Sequence, residues 1–237
     1  MTDIDNDLVG DILFGGNNGK LHGYMIEGFS KPGFPFITNG TIRSSPAVAD
    51  VDNDGQNEII FGKISLDTTG NGELYILNIN GGEQLVYAYP GNIFGTPALM
   101  DIDQDNDFEI FFNTQIGNPG EVHAIHHDGT EVDGFPVDLD EKMMAGPAAG
   151  DLDGDGYPEI VVCTWGENIY ALRHDGSIMD GFPYESTKRF NAPPTLVDLD
   201  FDGDLEIVAG NDDGLLHVLH HDGTEMASYD VGDDIRG

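Results

Sequence analysis

Basic residues are scarce: nine Lys/Arg stand against 44 Asp/Glu in 237 residues, a formal net charge of −35. Such a field repels a phosphate backbone, so nucleic acid is not an expected partner. Cysteine is nearly absent. The single Cys163 can form no internal disulfide, and its setting in EIVVC predicts a buried strand position rather than a reactive thiol. No hydrophobic run approaches the roughly 18 residues of a membrane span, and MTDIDNDLVG has neither the basic nor the apolar stretch of a signal peptide. Membrane insertion is therefore not expected. A nucleophile elbow, a Walker loop and an HExxH helix are missing too.

Glycine, by contrast, is abundant at 33 residues, and acidic nonamers recur. They read DIDNDLVGD (3–11), DVDNDGQNE (50–58), DIDQDNDFE (101–109), DLDGDGYPE (151–159) and DLDFDGDLE (198–206), spaced 47 to 51 residues apart. Self-similarity at this period marks an array of like units. Each nonamer runs directly into ILFG, IIFG, IFFN, IVVC or IVAG, short and rich in β-branched or aromatic residues, which predicts a buried strand. A second strand follows in LHGYM, LYILN, VHAIH, IYALR and LHVLH, which alternate with period two. NGG and HDG turns lead to a third strand that often ends in GFP, and segments such as SSPAVA and GTPALM supply a fourth.

Four antiparallel strands in each of five units predict an all-β fold: a β-propeller of five four-stranded blades, one domain over residues 1–237. The ending DDIRG matches Thr41–Ser45, and Met1 and Thr2 stand where Val48 and Ala49 stand in the second unit. This phase favours a closed ring, and with it a monomer. The alternative is a piece of a longer propeller, with exposed sheet faces and a tendency to associate. The near-even spacing also fits an engineered or trimmed repeat protein.

The nonamers carry the chemistry. Carboxylates stand at positions one, three, five and nine: Asp3, Asp5, Asp7 and Asp11; Asp50, Asp52, Asp54 and Glu58; Asp101, Asp103, Asp105 and Glu109; Asp151, Asp153, Asp155 and Glu159; Asp198, Asp200, Asp202 and Glu206. An oxygen-rich, tightly turning loop suits a hard cation, and the backbone carbonyl of position seven (Val9, Gln56, Asp107, Tyr157 or Asp204) is the natural further ligand. Calcium is favoured over magnesium, which demands a smaller and nearly ideal octahedron. Up to five Ca2+ are expected. Position six is Gly55, Gly156 and Gly203 in three loops, where a left-handed turn is easy; Asn106 tolerates it and Leu8 fits it poorly, so the first site is the weakest. The closing acid at position nine rather than twelve, with flanking strands, excludes an EF-hand switch.

These loops, with Ser45-Pro46-Ala47, Thr96-Pro97-Ala98, Gly146-Pro147-Ala148 and the FG of Phe14-Gly15 and Phe61-Gly62, resemble the FG-GAP repeats of integrin alpha-subunit propellers and their bacterial relatives. The resemblance covers essentially the whole chain. It implies calcium near one rim, protein recognition at the opposite rim, and an extracellular or cell-surface setting. Family propellers usually have seven or eight blades, against five here.

The expected function is calcium-stabilised binding or scaffolding without catalysis, toward a protein or glycan partner. Loops Ser65–Asn71 and Thr114–Gly120 are longer than their counterparts and are candidate contact loops. The alternative is a carbohydrate-active propeller, lectin-like or a polysaccharide lyase or hydrolase, with Trp165 or Tyr157 as a sugar platform. The histidines, which interchange with Tyr75 and Tyr170 along the second strand, read as packing and turn residues.

Overall fold

The structure, a computed structural model, describes residues 3–66, 71–115 and 120–236. Met1, Thr2 and the central parts of the two candidate contact loops lie outside these. Among the described residues there is no helix, and the strands form five antiparallel sheets in chain order. The second blade shows the plan: Ala47–Ala49, Glu58–Lys63, Asn71–Asn78 and Glu83–Pro90, each hydrogen-bonded to the next. The third (Ala98–Met100, Glu109–Gln115, Gly120–Ile125, Val137–Glu141), fourth (Ala148–Gly150, Glu159–Cys163, Asn168–Leu172, Tyr184–Glu185) and fifth (Thr195–Val197, Glu206–Gly210, Leu215–Leu219, Glu225–Asp230) repeat it. The first has three strands, Asp11–Gly15, Lys20–Met25 and Phe36–Ile37. The expected fourth strand is not among its described residues.

The apolar runs of the second, third and fourth blades are buried on both faces because each of these blades is sandwiched between two neighbours. Ile59 and Phe61 pack toward the first blade while Ile60 packs toward the third. Four apolar clusters result, joining the first blade to the second, second to third, third to fourth and fourth to fifth. The described residues do not show the expected closure of the ring. Ile12 and Phe14, which hold the places of the fully buried Ile59 and Phe61, are 40% and 45% exposed. Phe14 stacks on His22, and His22 on Tyr24, in an aromatic row on that outer face.

The turns also lock blade to blade. Gly33, Gly134 and Gly181 of the GFP segments have φ of 83°, 96° and 93°, and a Cβ there would stand 1.7 to 2.1 Å from the backbone oxygen of Asn80, Asp175 or Asp222 in the next blade's turn. Only glycine meets both demands. Cys163 lies in the fourth-to-fifth core as predicted, and burial pushes its thiol well above the ordinary range.

Candidate metal centres

All five nonamers fold into the same loop, and hydrogen bonds explain the spacing. The position-one carboxylate accepts backbone N–H groups from within its own loop. Asp50 takes those of Asp54 and Gly55 at 3.0 and 2.8 Å; Asp3 takes Asp7 and Leu8 at 3.1 and 2.8 Å. Asp101, Asp151 and Asp198 do likewise with Asn106, Gly156 and Phe201. Position five accepts from position seven, as Asp54 from Gln56 and Asp155 from Tyr157, both at 2.8 Å. The closing acid reaches back to the N–H of position two: Asp11 to Ile4, Glu58 to Val51, Glu109 to Ile102, Glu159 to Leu152 and Glu206 to Leu199, at 2.7 to 3.3 Å. All five closing acids are buried.

Position six is left-handed throughout, including Asn106 (φ 78°) and the ill-suited Leu8 (φ 70°), which is 94% exposed. Position four is left-handed as well, at Asn6, Asn53, Gln104, Gly154 and Phe201. Sequence reasoning missed this second turn, because the residues there share no chemistry.

Carboxylates crowd in these loops. Burial, and then the charges of Asp103 and Asp107, push Glu109 up to about 7; burial and the three aspartates of its own loop do the same to Glu159. Several oxygens also lack partners. Asp107 Oδ1, Asp151 Oδ1, Asp204 Oδ1 and Glu206 Oε1 are buried and accept no hydrogen bond. A buried carboxylate oxygen left so is costly unless a cation faces it, so the third, fourth and fifth loops fit a divalent ion.

At position seven the loops diverge. The Asp107 and Asp204 side chains join those of positions three, five and nine, with one oxygen from each within 4.8 Å of the others. Gln56 instead donates to Asp54 Oδ2 at 3.2 Å, Tyr157 stacks on His174, and Val9 has no donor atom in its side chain.

The first loop holds a cation of its own. Lys31, 4% exposed, sets its Nζ 2.8 Å from Asp5 Oδ2 and 2.8 Å from Asp11 Oδ2. Burial opposes the ammonium charge, but the hydrogen bonds and charges of Asp11 and Asp5 outweigh it and raise the Lys31 pKa. At the same turn position the third and fourth blades carry Val132 and Met179. Asp3, Asp5 and Asp11 lie close enough to share an ion, but the Lys31 ammonium already stands against two of the three.

The histidines divide. His123 is packed among Phe112 and Tyr89, its pKa lowered to about 4 by burial, and His217 is bonded to Ser186 Oγ at 2.9 Å, both as predicted for packing residues. His126 and His220 open turns, as expected, through backbone N–H groups donated to the carbonyls of Thr130 and Thr224. Each joins a loop cluster, with Asp103 and Glu109 or with Asp200 and Glu206. His127 Nδ1 lies 2.7 Å from Asp107 Oδ2, and His221 Nδ1 meets Asp204. The signal in the sequence was HHDG, present only in the two units with Asp at position seven. Trp165 is no open platform: Lys142 Nζ lies 3.9 Å and Arg189 Cζ 4.4 Å from its ring centroid.

The loop and strand pattern has a counterpart among known repeats, for residues 101–162 match the FG-GAP-like repeat. The chain carries an FG-GAP-like repeat. The matched segment begins at the third acidic loop and runs through the fourth into its buried strand. No curated protein matches the chain. Solved structures resemble the chain in fold. The Vibrio cholerae biofilm matrix protein Bap1 aligns with a TM-score of 0.72 and 20% identity, over 100% of this chain and 39% of that one. BBS1N, in complex with ARL6DN, gives 0.68 and 13% over 97% and 64%. The WD40 β-propeller domain of Doa1 gives 0.62 and 11% over 98% and 68%. The chain therefore spans less than two thirds of the first two proteins, and at these identities the likeness is one of propeller fold.

Proposed function

We propose that the protein is a non-catalytic propeller module, stabilised by calcium, that binds a protein or glycan partner or serves as a scaffold. The observation that carries this is the set of buried, unpartnered oxygens on Asp107, Asp151, Asp204 and Glu206, all in the acidic loops. Calcium takes six to eight oxygens at 2.3–2.6 Å and accepts mixed carboxylate, carbonyl and water ligands. The loops of blades two to five would hold it through their position-one, -three, -five and -nine carboxylates and the position-seven carbonyl. In the first, Lys31 takes its place, so four ions rather than five are expected. An extracellular or cell-surface setting, where calcium is plentiful, suits sites of this kind.

The role of such ions is mechanical. Each loop joins two strands of one blade, and its carboxylates repel one another until a cation gathers them. Binding and folding are then coupled. Native mass spectrometry with calcium and after chelation tests the reading: four calcium ions per chain, and a lower melting temperature without them, are expected. A chain that melts identically in calcium and in chelator sinks it.

A glycan partner has one observation on its side. Tyr157 and His174 stack, rings 4.7 Å apart, in the wall of a 510 Å³ cavity that also contains Asp103 and Asp133. Aromatic faces beside carboxylates suit sugar rings and hydroxyls. Titration of neutral and acidic oligosaccharides against Tyr157→Ala separates glycan from protein recognition.

A further inference from the structure

The turn that follows the second strand is built alike in every blade, yet its first residue differs: Met25, Asn78, His126, Arg173 and His220 each donate a backbone N–H to the residue four places on. Turn chemistry does not call for histidine here. The fourth blade makes the turn with Arg173, closing it with Asp175 Oδ1 accepting the Ser177 N–H just as Asp128 accepts that of Thr130.

What His126 and His220 do share is a neighbour. His126 Nδ1 lies 3.1 Å from Glu109 Oε1, and His220 Nδ1 lies 3.8 Å from Glu206 Oε1. With Asp103 or Asp200 each forms a trio whose ligand atoms lie within 4.8 Å of one another. Glu206 is 0% exposed, and its Oε1 accepts no hydrogen bond, so a fully buried oxygen faces the imidazole with nothing between to satisfy it. In the third blade, Asp103 and His126 also border the cavity beside Tyr157, which leaves the trio reachable from solvent.

We propose that, of the four loops read as ion sites, the third and fifth are mixed imidazole–carboxylate sites that prefer a borderline divalent transition ion of the zinc type to calcium, while the second and fourth are oxygen-only and keep to calcium. Calcium takes oxygen ligands and gains little from a nitrogen. Imidazole suits zinc and its neighbours, and one histidine with two carboxylates supplies the three protein ligands such an ion accepts, with water completing the shell. The second loop has Asn78 at the histidine's place and the fourth has Arg173, which offers no ligand nitrogen and whose guanidinium is turned to Ile178 O and Asp180 instead.

This inference rests on the reading that the acidic loops hold divalent ions, so its test separates the two. Metal-stripped full-length protein is titrated with zinc chloride and with calcium chloride by calorimetry. The wild type and an H126N/H220N variant, which carries the second blade's residue at both places, are compared. The result expected is two zinc ions per wild-type chain, held at least about tenfold more tightly than calcium. Both are lost in the variant, which keeps its calcium binding at the second and fourth loops. Circular dichroism of the variant in calcium checks that the fold is kept, and H126N and H220N taken singly should each lose one zinc ion. Calcium binding without saturable zinc binding, or equal zinc binding by wild type and variant, overturns the proposal and leaves the calcium module standing. Binding of neither ion overturns both.

Discussion

In the first blade a lysine ammonium sits between Asp5 and Asp11; in the fifth, the equivalent Glu206 has a buried oxygen that nothing satisfies. The two loops share a spacing, a turn and a backbone hydrogen-bond scheme. They differ in what faces the charge, a tethered ammonium in one and the His220 imidazole, 3.8 Å from Glu206, in the other. The blades differ in apolar surface as well. Phe14 is 45% exposed on the first blade, while Phe61, at the same place in the second, is fully buried against Phe36 and Tyr75. One repeated scaffold therefore fixes backbone geometry while single side chains decide counter-charge and neighbour.

The largest effect should come from the apolar half of this contrast. Phe61→Ala should cost about 3–5 kcal/mol, as buried phenylalanine truncations do, and Phe14→Ala no more than about 1 kcal/mol. Equal losses in urea denaturation would mean that the outer face of the first blade is covered in solution.

The counter-charge is tested by Lys31→Val, which places the third blade's residue in the first. In chelator the variant should lose about 3 kcal/mol, since two carboxylates are left facing each other without their cation. In calcium most of the loss should return, and mass spectrometry should count one more bound ion than in wild type. An unchanged ion count would show that more than Lys31 keeps metal out.

A smaller effect is expected from pH. Glu109 and Glu159 are held at about 7 in the folded, metal-free chain, above an ordinary glutamate's 4.5. The folded state therefore binds more protons than the unfolded one between these values, and stability must fall as pH rises through that window. Melting in chelator should drop between about pH 5 and about pH 7.5, and calcium should flatten the slope. The smallest effect is Leu8→Gly, which relieves a left-handed leucine and should add about 1 kcal/mol at thermal or chemical denaturation.

The sequence made the strands and loops legible because both follow from local rules: period-two alternation, β-branched runs and carboxylates two residues apart. The glycines at position six announced their own backbone angle. Lys31 was hidden for a different reason. It lies 20 residues from Asp11 and meets it only once the Lys20–Met25 strand has folded back on its partner. His126 was read as a packing or turn residue and does open a turn, but its contact with Glu109, 17 residues away, forms only when the two strands pair. The phase match at the chain ends suggested closure, but it arises equally in an arc cut at repeat boundaries. Among the described residues Ile12 and Phe14 are exposed, so closure is not shown there.

Cys163 leaves a practical legacy. Its sulfur is sealed between the fourth and fifth blades and is held in the unreactive thiol form. Alkylating reagents should pass it by at neutral pH. A cysteine placed at an exposed loop position such as Leu8 or Phe201 would then take a single dye without Cys163 having to be replaced. A dye at Phe201 would respond to an ion taken up by the fifth loop, and one at Leu8 would serve as the control beside Lys31.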